Sequence, residues 1–365
     1  MLAVNHRNRA GDDAVIELGA AAGFPIVVQV AVRRGPISGI AASADGTRLM
    51  VTNYADDSVS VIDTDTCRVE QTIAVLPEPF AVAVAARDAN RAYVSTVTPA
   101  YDSIGVIDVP TNTVVASHPL AHSLSDLVVS PDGNHVYASR NAAGGADLAV
   151  LDARTGRVAE VAWANRPGTT TECVRASSDG GRLYVATNGP TGGQLVVIDT
   201  RAPSRPRVLG TVEIGLPIRD VALSPNGALA YVASCAPELG AVIDVVDTRT
   251  AKVTGTRKIG ELGILTGLTL SGDGDRAYLV SDDGITVLCT LTHDVIGTLG
   301  VADQPSCVVE SADAKYLYIA DYAGVVTVAP VASIVALGIE TSVHESETPT
   351  EWVVPELPPC EPALA

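Results

Sequence analysis

Apolar runs a few residues long, separated by tight polar turns, recur along this chain in a constant order. The stretch from Ser43 to Val75, SADGTRLMVTNYADDSVSVIDTDTCRVEQTIAV, shows the unit: a turn, a strand, a loop, a second strand, another turn and a third strand. Aligning copies on the residue that opens the turn gives anchors at Ser43, Ala86, Ser130, Ser177, Ser224, Ser271 and Ser311, spaced by 43, 44, 47, 47, 47 and 40 residues. An apolar strand ends at each anchor, as in Gly39-Ile40-Ala41-Ala42 and Asp220-Val221-Ala222-Leu223. Seven residues after the anchor stands a tyrosine (Tyr93, Tyr137, Tyr184, Tyr231, Tyr278, Tyr318), with Met50 in the first copy, flanked by apolar residues as in Leu183-Tyr184-Val185. A strand apolar on both faces is buried on both faces, so these tyrosines are packing residues. A third strand ends in two apolar residues and Asp, as in Val61-Ile62-Asp63 and Val197-Ile198-Asp199, and a fourth closes each copy. Seven copies of several short strands, with a period in the forties, predict an all-β protein: a seven-bladed β-propeller with four-stranded antiparallel blades.

The turn dipeptides Asp45-Gly46, Asp132-Gly133, Asp179-Gly180, Asn226-Gly227 and Asp273-Gly274 supply the positive φ angles that two-residue hairpin turns need. Asp88-Ala89 and Asp313-Ala314 replace the glycine, which predicts looser turns there. The recurring strand-end aspartates are turn-fixers rather than metal ligands. A carboxylate there bonds backbone N–H groups two residues on, often together with the threonine that follows (Thr64, Thr200, Thr248).

Ring closure is legible at the ends of the repeat. After the last anchor come two good strands, Tyr316 to Ala320 and Gly324 to Val328, then a weaker Ser333 to Gly338; before the first lie Ala14 to Leu18 and Ile26 to Val32. The segment Ile26 to Val32 reads as the outer strand of the seventh blade, so that the ring is closed by an N-terminal strand. The propeller is expected over residues 14–339, with an N-terminal extension at 1–13 and a C-terminal tail at 340–365. That tail holds six Glu, five Pro and no Lys or Arg, which disfavours a packed element, while Trp352-Val353-Val354 offers an apolar patch suited to docking.

Composition narrows the partners. A formal net charge of −18 argues against nucleic acid, whose affinity comes largely from Lys and Arg neutralising phosphates. No apolar run reaches the ~18 residues of a membrane-spanning helix, so no membrane insertion is expected. The N-terminus lacks the apolar core of a secretory signal, giving a cytoplasmic expectation, and the chain reads as a monomer. The six cysteines show no CxxC pair and no metal-type spacing, and read as small reduced apolar residues. Cys173 and Cys307 each stand four residues before an anchor, on equivalent inner strands.

The turn and strand motifs resemble the YVTN family of β-propeller repeats, in which a Ser-Pro-Asp-Gly turn precedes a Tyr-Val strand and a Val-Ile-Asp strand end. The residues that carry the resemblance are Ser130-Pro131-Asp132-Gly133 with Tyr137, Leu183-Tyr184-Val185 with Val197-Ile198-Asp199, and Met50-Val51-Thr52-Asn53 with Val61-Ile62-Asp63. In such a ring the loops entering the inner strands, and those between second and third strands, gather at one face around the central channel. The funnel candidates there are Asp126, Glu172, Arg219, Asp220, His122 and Arg140. Glu172, Arg219 and Asp220 stand out because they open strands that are otherwise apolar; an ion pair between adjacent blades is the bland expectation for them.

No GxSxG, HExxH, Walker loop or helix-opening GxGxxG is present, and no cofactor or metal is expected. His118 and His122 flank a strand end with Pro119 between them and read as solvent-facing. The expected function is a non-catalytic scaffold that recognises a protein or peptide through its loop face and funnel. The alternative is a lactonase-like hydrolase of the 6-phosphogluconolactonase type, a family this chain resembles in fold and turn motif. That family places histidines ahead of a Ser-Pro-Asp-Gly turn, where this chain has His122 and, further back, His118.

Overall fold

The computed structural model describes residues 28–331 apart from 86–89, 121–122, 143–144, 203–204, 261 and 301–303. It contains seven four-stranded antiparallel sheets, each running in chain order from inner to outer strand except at the seam. There the last blade consists of Pro305–Glu310, Tyr316–Asp321 and Val325–Pro330, with Val28–Ala31 as its outer strand. Val28 pairs with Val328 and Ala31 with Val325, which confirms closure by an N-terminal strand. The expected strands at 14–18 and 333–338, and the tail from 340, lie outside the described residues.

The buried apolar residues divide into seven clusters, and each cluster spans one pair of adjacent blades. The residue seven after each anchor makes this regular, since it always enters the cluster shared with the following blade. Met50 packs between blades 1 and 2, Tyr93 between 2 and 3, Tyr184 between 4 and 5, and Tyr318 between blade 7 and blade 1. All seven are buried, so the repeated tyrosine is the unit of blade-on-blade adhesion.

The hairpin turns differ from the expected two-residue type. Ser43 N–H donates to Arg48 O, Gly46 N–H donates to Ser43 O, and the Ser43 hydroxyl donates to Asp45 Oδ1 at 2.6 Å. Asp45 also accepts from Thr47 N–H, and Ser43 Oγ accepts from Arg48 N–H. The loop is therefore longer, needs positive φ at Gly46 alone (φ 71°), and is braced by a Ser–Asp pair. The same pair recurs at Ser130–Asp132, Ser177–Asp179, Ser271–Asp273 and Ser311–Asp313, and as Ser224–Asn226. The seventh turn is as tight as the rest, contrary to expectation: Ala314 adopts φ 57° and donates to Ser311 O at 2.9 Å. Its counterpart at Asp88-Ala89 lies outside the described residues.

The strand-end aspartates do fix turns, but through residues two or three on. Asp63 accepts from Thr66 N–H and hydroxyl, Asp108 likewise from Thr111, and Asp199 from Arg201 N–H. The threonines immediately after them point elsewhere. Thr64, Thr200 and Thr248 donate to the carbonyls of Gly46, Gly180 and Gly227, tying the third strand to the hairpin turn of its own blade.

Two predictions follow from this architecture. A chain beginning at Gly35 loses Val30 and Val32 from the seam, and its melting temperature should drop by about 10 °C, from the apolar burial and ladder bonds removed; an unchanged melting curve would disprove the closure. The turn carboxylates give an acid dependence. Burial would raise Asp132, yet bonds from Ser130 and Asn134 bring it down from 3.8 to about 2, and Asp45, Asp179 and Asp273 are lowered first by their serine hydroxyls. A depressed carboxylate stabilises fully above its unfolded value and loses that contribution as pH falls through the folded one. Melting temperature should therefore fall between about pH 4 and pH 2, less steeply in Asp132→Asn, which keeps the acceptor without the charge, as Asn226 does. Equal slopes would show that the turn carboxylates do not carry the acid sensitivity.

Candidate functional site

Six of the seven inner strands carry a register shift at one place, five residues before the anchor. The bulged residues are Ser38, Ser125, Glu172, Arg219, Thr266 and Ser306. A bulge leaves one residue out of the ladder and re-aims its side chain, and all six line a central cavity of about 570 Å³. Because neighbouring strands are antiparallel, the starts of the inner strands share an edge of the ring with the loops between second and third strands. The bulges thus form a rim at the mouth of the channel, polar in six blades, with Ala81 in blade 2.

One residue deeper, the row reads Gly39, Val82, Asp126, Cys173, Asp220, Gly267 and Cys307. Asp126 and Asp220 each reach across to the next blade. Asp126 Oδ1 accepts from Leu127 N–H and Oδ2 from Val174 N–H, while Asp220 Oδ1 accepts from Val221 N–H and Oδ2 from Leu268 N–H. Between them lies Arg175 of blade 4. Its Nη1 donates to Asp126 and its Nη2 to Asp220, each at 2.5 Å, and its Nε donates to Val221 O at 2.9 Å. One guanidinium therefore clamps blades 3, 4 and 5 inside the channel. Burial alone would lower the Arg175 pKa, but the Asp220 and Asp126 carboxylates more than offset it and hold the group charged. Burial raises Asp126, with Arg175 and the Val174 N–H acting against it.

The expected ion pair between Glu172 and Arg219 does not form. Glu172 Oε1 accepts from Asn188 Nδ2 at 3.0 Å, and Arg219 Nε contacts Cys235 Sγ at 3.4 Å. The ion pairs that cross between blades inside the channel belong to Arg175 instead, a residue that sequence reasoning passed over. Its signal was present: two residues before the anchor, the other blades carry Ala41, Val84, Val128, Ala222, Thr269 and Val309, and only this copy places a charge there.

Arg140 is not a funnel residue. It is 1% exposed and forms ion pairs with Asp147, directly opposite on the third strand, and with Glu160 on the outer strand, each at 2.8 Å. It braces its own blade, and its position near the end of a second strand had suggested the loop face. His122 lies outside the described residues. His118 sits on the outer strand Thr113–Leu120 of blade 2, beside the Gly156 turn and away from the channel.

Other loop-face residues serve as staples. Asn141 accepts from Thr171 N–H and donates to Ser125 Oγ, and Asn188 accepts from Ile218 N–H and donates to Ile218 O. In both cases the end of a second strand holds the start of the next blade's inner strand. Cys67, Cys173, Cys235, Cys289 and Cys307 carry free thiols. Burial pushes Cys307 up to about 12 and Cys173 well above its ordinary value, so the channel-wall thiols stay protonated and poorly nucleophilic. Among the described residues no group of His, Cys, Asp and Glu could hold a metal ion, and no helix is long and apolar enough to cross a membrane.

No family model matches the chain. A solved structure of Kuenenia stuttgartiensis hydrazine synthase superposes with a TM-score of 0.73 at 21% identity, covering 87% of this chain and 99% of that one; at that identity the likeness concerns the fold alone. The seven-bladed beta-propeller protein Rv1057 of Mycobacterium tuberculosis is 53% identical over 381 aligned residues, covering 97% of this chain and 96% of the relative. With seven blades closed at a seam and this identity along nearly its whole length, the chain belongs to the family of the seven-bladed β-propeller protein Rv1057.

Proposed function

We propose that this chain is a non-catalytic propeller of the YVTN type that binds a protein or peptide through its loop face and the mouth of its channel. The observation that carries the reading is the division of labour between two rows of the channel. The deeper charges, Asp126, Arg175 and Asp220, spend their bonds on one another and on backbone, which makes them structural. The rim charges, Glu172 and Arg219, each hold a single neighbour and face the opening. Such a rim is suited to recognition. The described channel wall holds no histidine and its thiols are protonated, so nothing described there supports the lactonase alternative. Five free thiols fit a reducing, cytoplasmic setting.

The two rows should separate on mutation. Arg175→Ala leaves two carboxylates facing each other without their cation, and should cost about 3 kcal/mol of stability, read by urea denaturation. Glu172→Ala combined with Arg219→Ala should leave the denaturation curve nearly unchanged and abolish binding of peptides selected from a display library on the wild-type protein. Selected peptides that bind the double variant equally well, or turnover of γ-lactones well above background by the wild type, would overturn the proposal.

A further inference from the structure

Resting on that reading, we infer that the channel mouth recognises the free amino terminus of a peptide, taking the α-ammonium at Glu172 and the first carbonyl at Arg219. These residues occupy the same bulged position on adjacent blades, so they stand at one level of the rim. Each is held back from the other by its own blade: Glu172 by the Asn188 amide and Arg219 by the Cys235 sulfur. The Cys235 contact raises the Arg219 pKa, burial opposes it, and Glu172 adds to the rise, yet the two do not close into an ion pair. Glu172 Oε2 and both terminal nitrogens of Arg219 make no hydrogen bond among the described residues. An acceptor and a forked donor side by side at an opening match a group that presents N–H and C=O on neighbouring atoms.

The rest of the rim decides the sign of the ligand's charge. Ser38, Thr266 and Ser306 donate their hydroxyl protons to the carbonyls of Pro79, Pro305 and Ala320, leaving their oxygens as acceptors. Ser125 accepts from Asn141 and Thr171, so its own proton is available. Acceptors thus come from blades 1, 4, 6 and 7, and donors from blades 3 and 5. A carboxylate bound at Arg219 would lie beside Glu172, above Asp126 and Asp220, in a chain of net charge −18. An ammonium meets acceptors instead, and a hydrogen bond between ionised partners is stronger than one between neutral groups.

The test uses the full chain and pools of random octapeptides made in two forms, with free and with N-acetylated amino termini, measured by fluorescence polarisation. Free-amine peptides should bind about tenfold or more tightly than their acetylated twins, the worth of a charge-assisted contact. Glu172→Gln should erase that difference, and Arg219→Gln should weaken the free-amine form while both variants melt like the wild type. If acetylated and free peptides bind alike, or if Glu172→Gln preserves the discrimination, the inference fails while peptide binding itself stands. If neither pool binds, the peptide-scaffold reading falls with it.

Discussion

Every blade of this protein is sealed by the next. The apolar residues collect into seven clusters, each shared between two adjacent blades, so no sheet owns a core that would survive alone. Stability in such an arrangement is a sum of neighbour interfaces, and closure is the condition under which the first and last blades have a neighbour at all. The pairing of Val28–Ala31 with Val325–Pro330 meets that condition. It also pairs the backbone groups of Val325–Pro330 that a three-stranded seventh blade would leave open. The tyrosine seven residues after six of the seven anchors is the side chain that this constraint selects: large enough to bridge two sheets, with a hydroxyl able to reach polar groups at the margin, as Tyr278 does with Glu310 at 2.7 Å.

The channel shows the same logic with charges. Inner strands converge on the axis, and there the wall is built largely of small or β-branched residues, with polar groups only where they find partners. Burying Asp126 and Asp220 is tolerable because each accepts two backbone N–H groups and one guanidinium nitrogen. Two backbone bonds of this set, from Val174 and Leu268, cross to the next blade, so the carboxylates act as rivets between inner strands whose own ladders run only within a blade. Above them the bulges lift six side chains out of the ladder. The fold therefore supplies a rim whose side chains stand outside the apolar clusters, several of them bonded to the next blade.

How much of this could be read in the residues depended on whether the signal was periodic. The turn, the tyrosine and the strand-end aspartate recur at fixed offsets, and repetition averages away the ambiguity of any one copy. Asp126, Glu172, Arg219 and Asp220 were identifiable as channel residues because a charge opening an apolar strand has nowhere to go but the axis or the rim. Arg175 was missed because it lies within its strand, between Val174 and Ala176, and only comparison down the column of equivalent positions exposes it. Arg140 was misplaced for a different reason. Near a strand end, side-chain parity alone separates the blade interior from the loop face, and its cross-strand partner Asp147 is known only once the register is known.

The sequence by itself determined the number of blades, the strand that closes the ring and the residues of the inter-blade cores, because these are consequences of period, alternation and turn chemistry, all local and all repeated. The tertiary structure alone decided which charges pair. Whether Glu172 meets Arg219, or Arg175 gathers Asp126 and Asp220, turns on positions 45 and 49 residues apart in the chain that share a level of the channel. No local rule measures that distance. It is set by the curvature of a closed ring, which brings together side chains from three blades and leaves two opposite charges on its rim close to each other but unjoined.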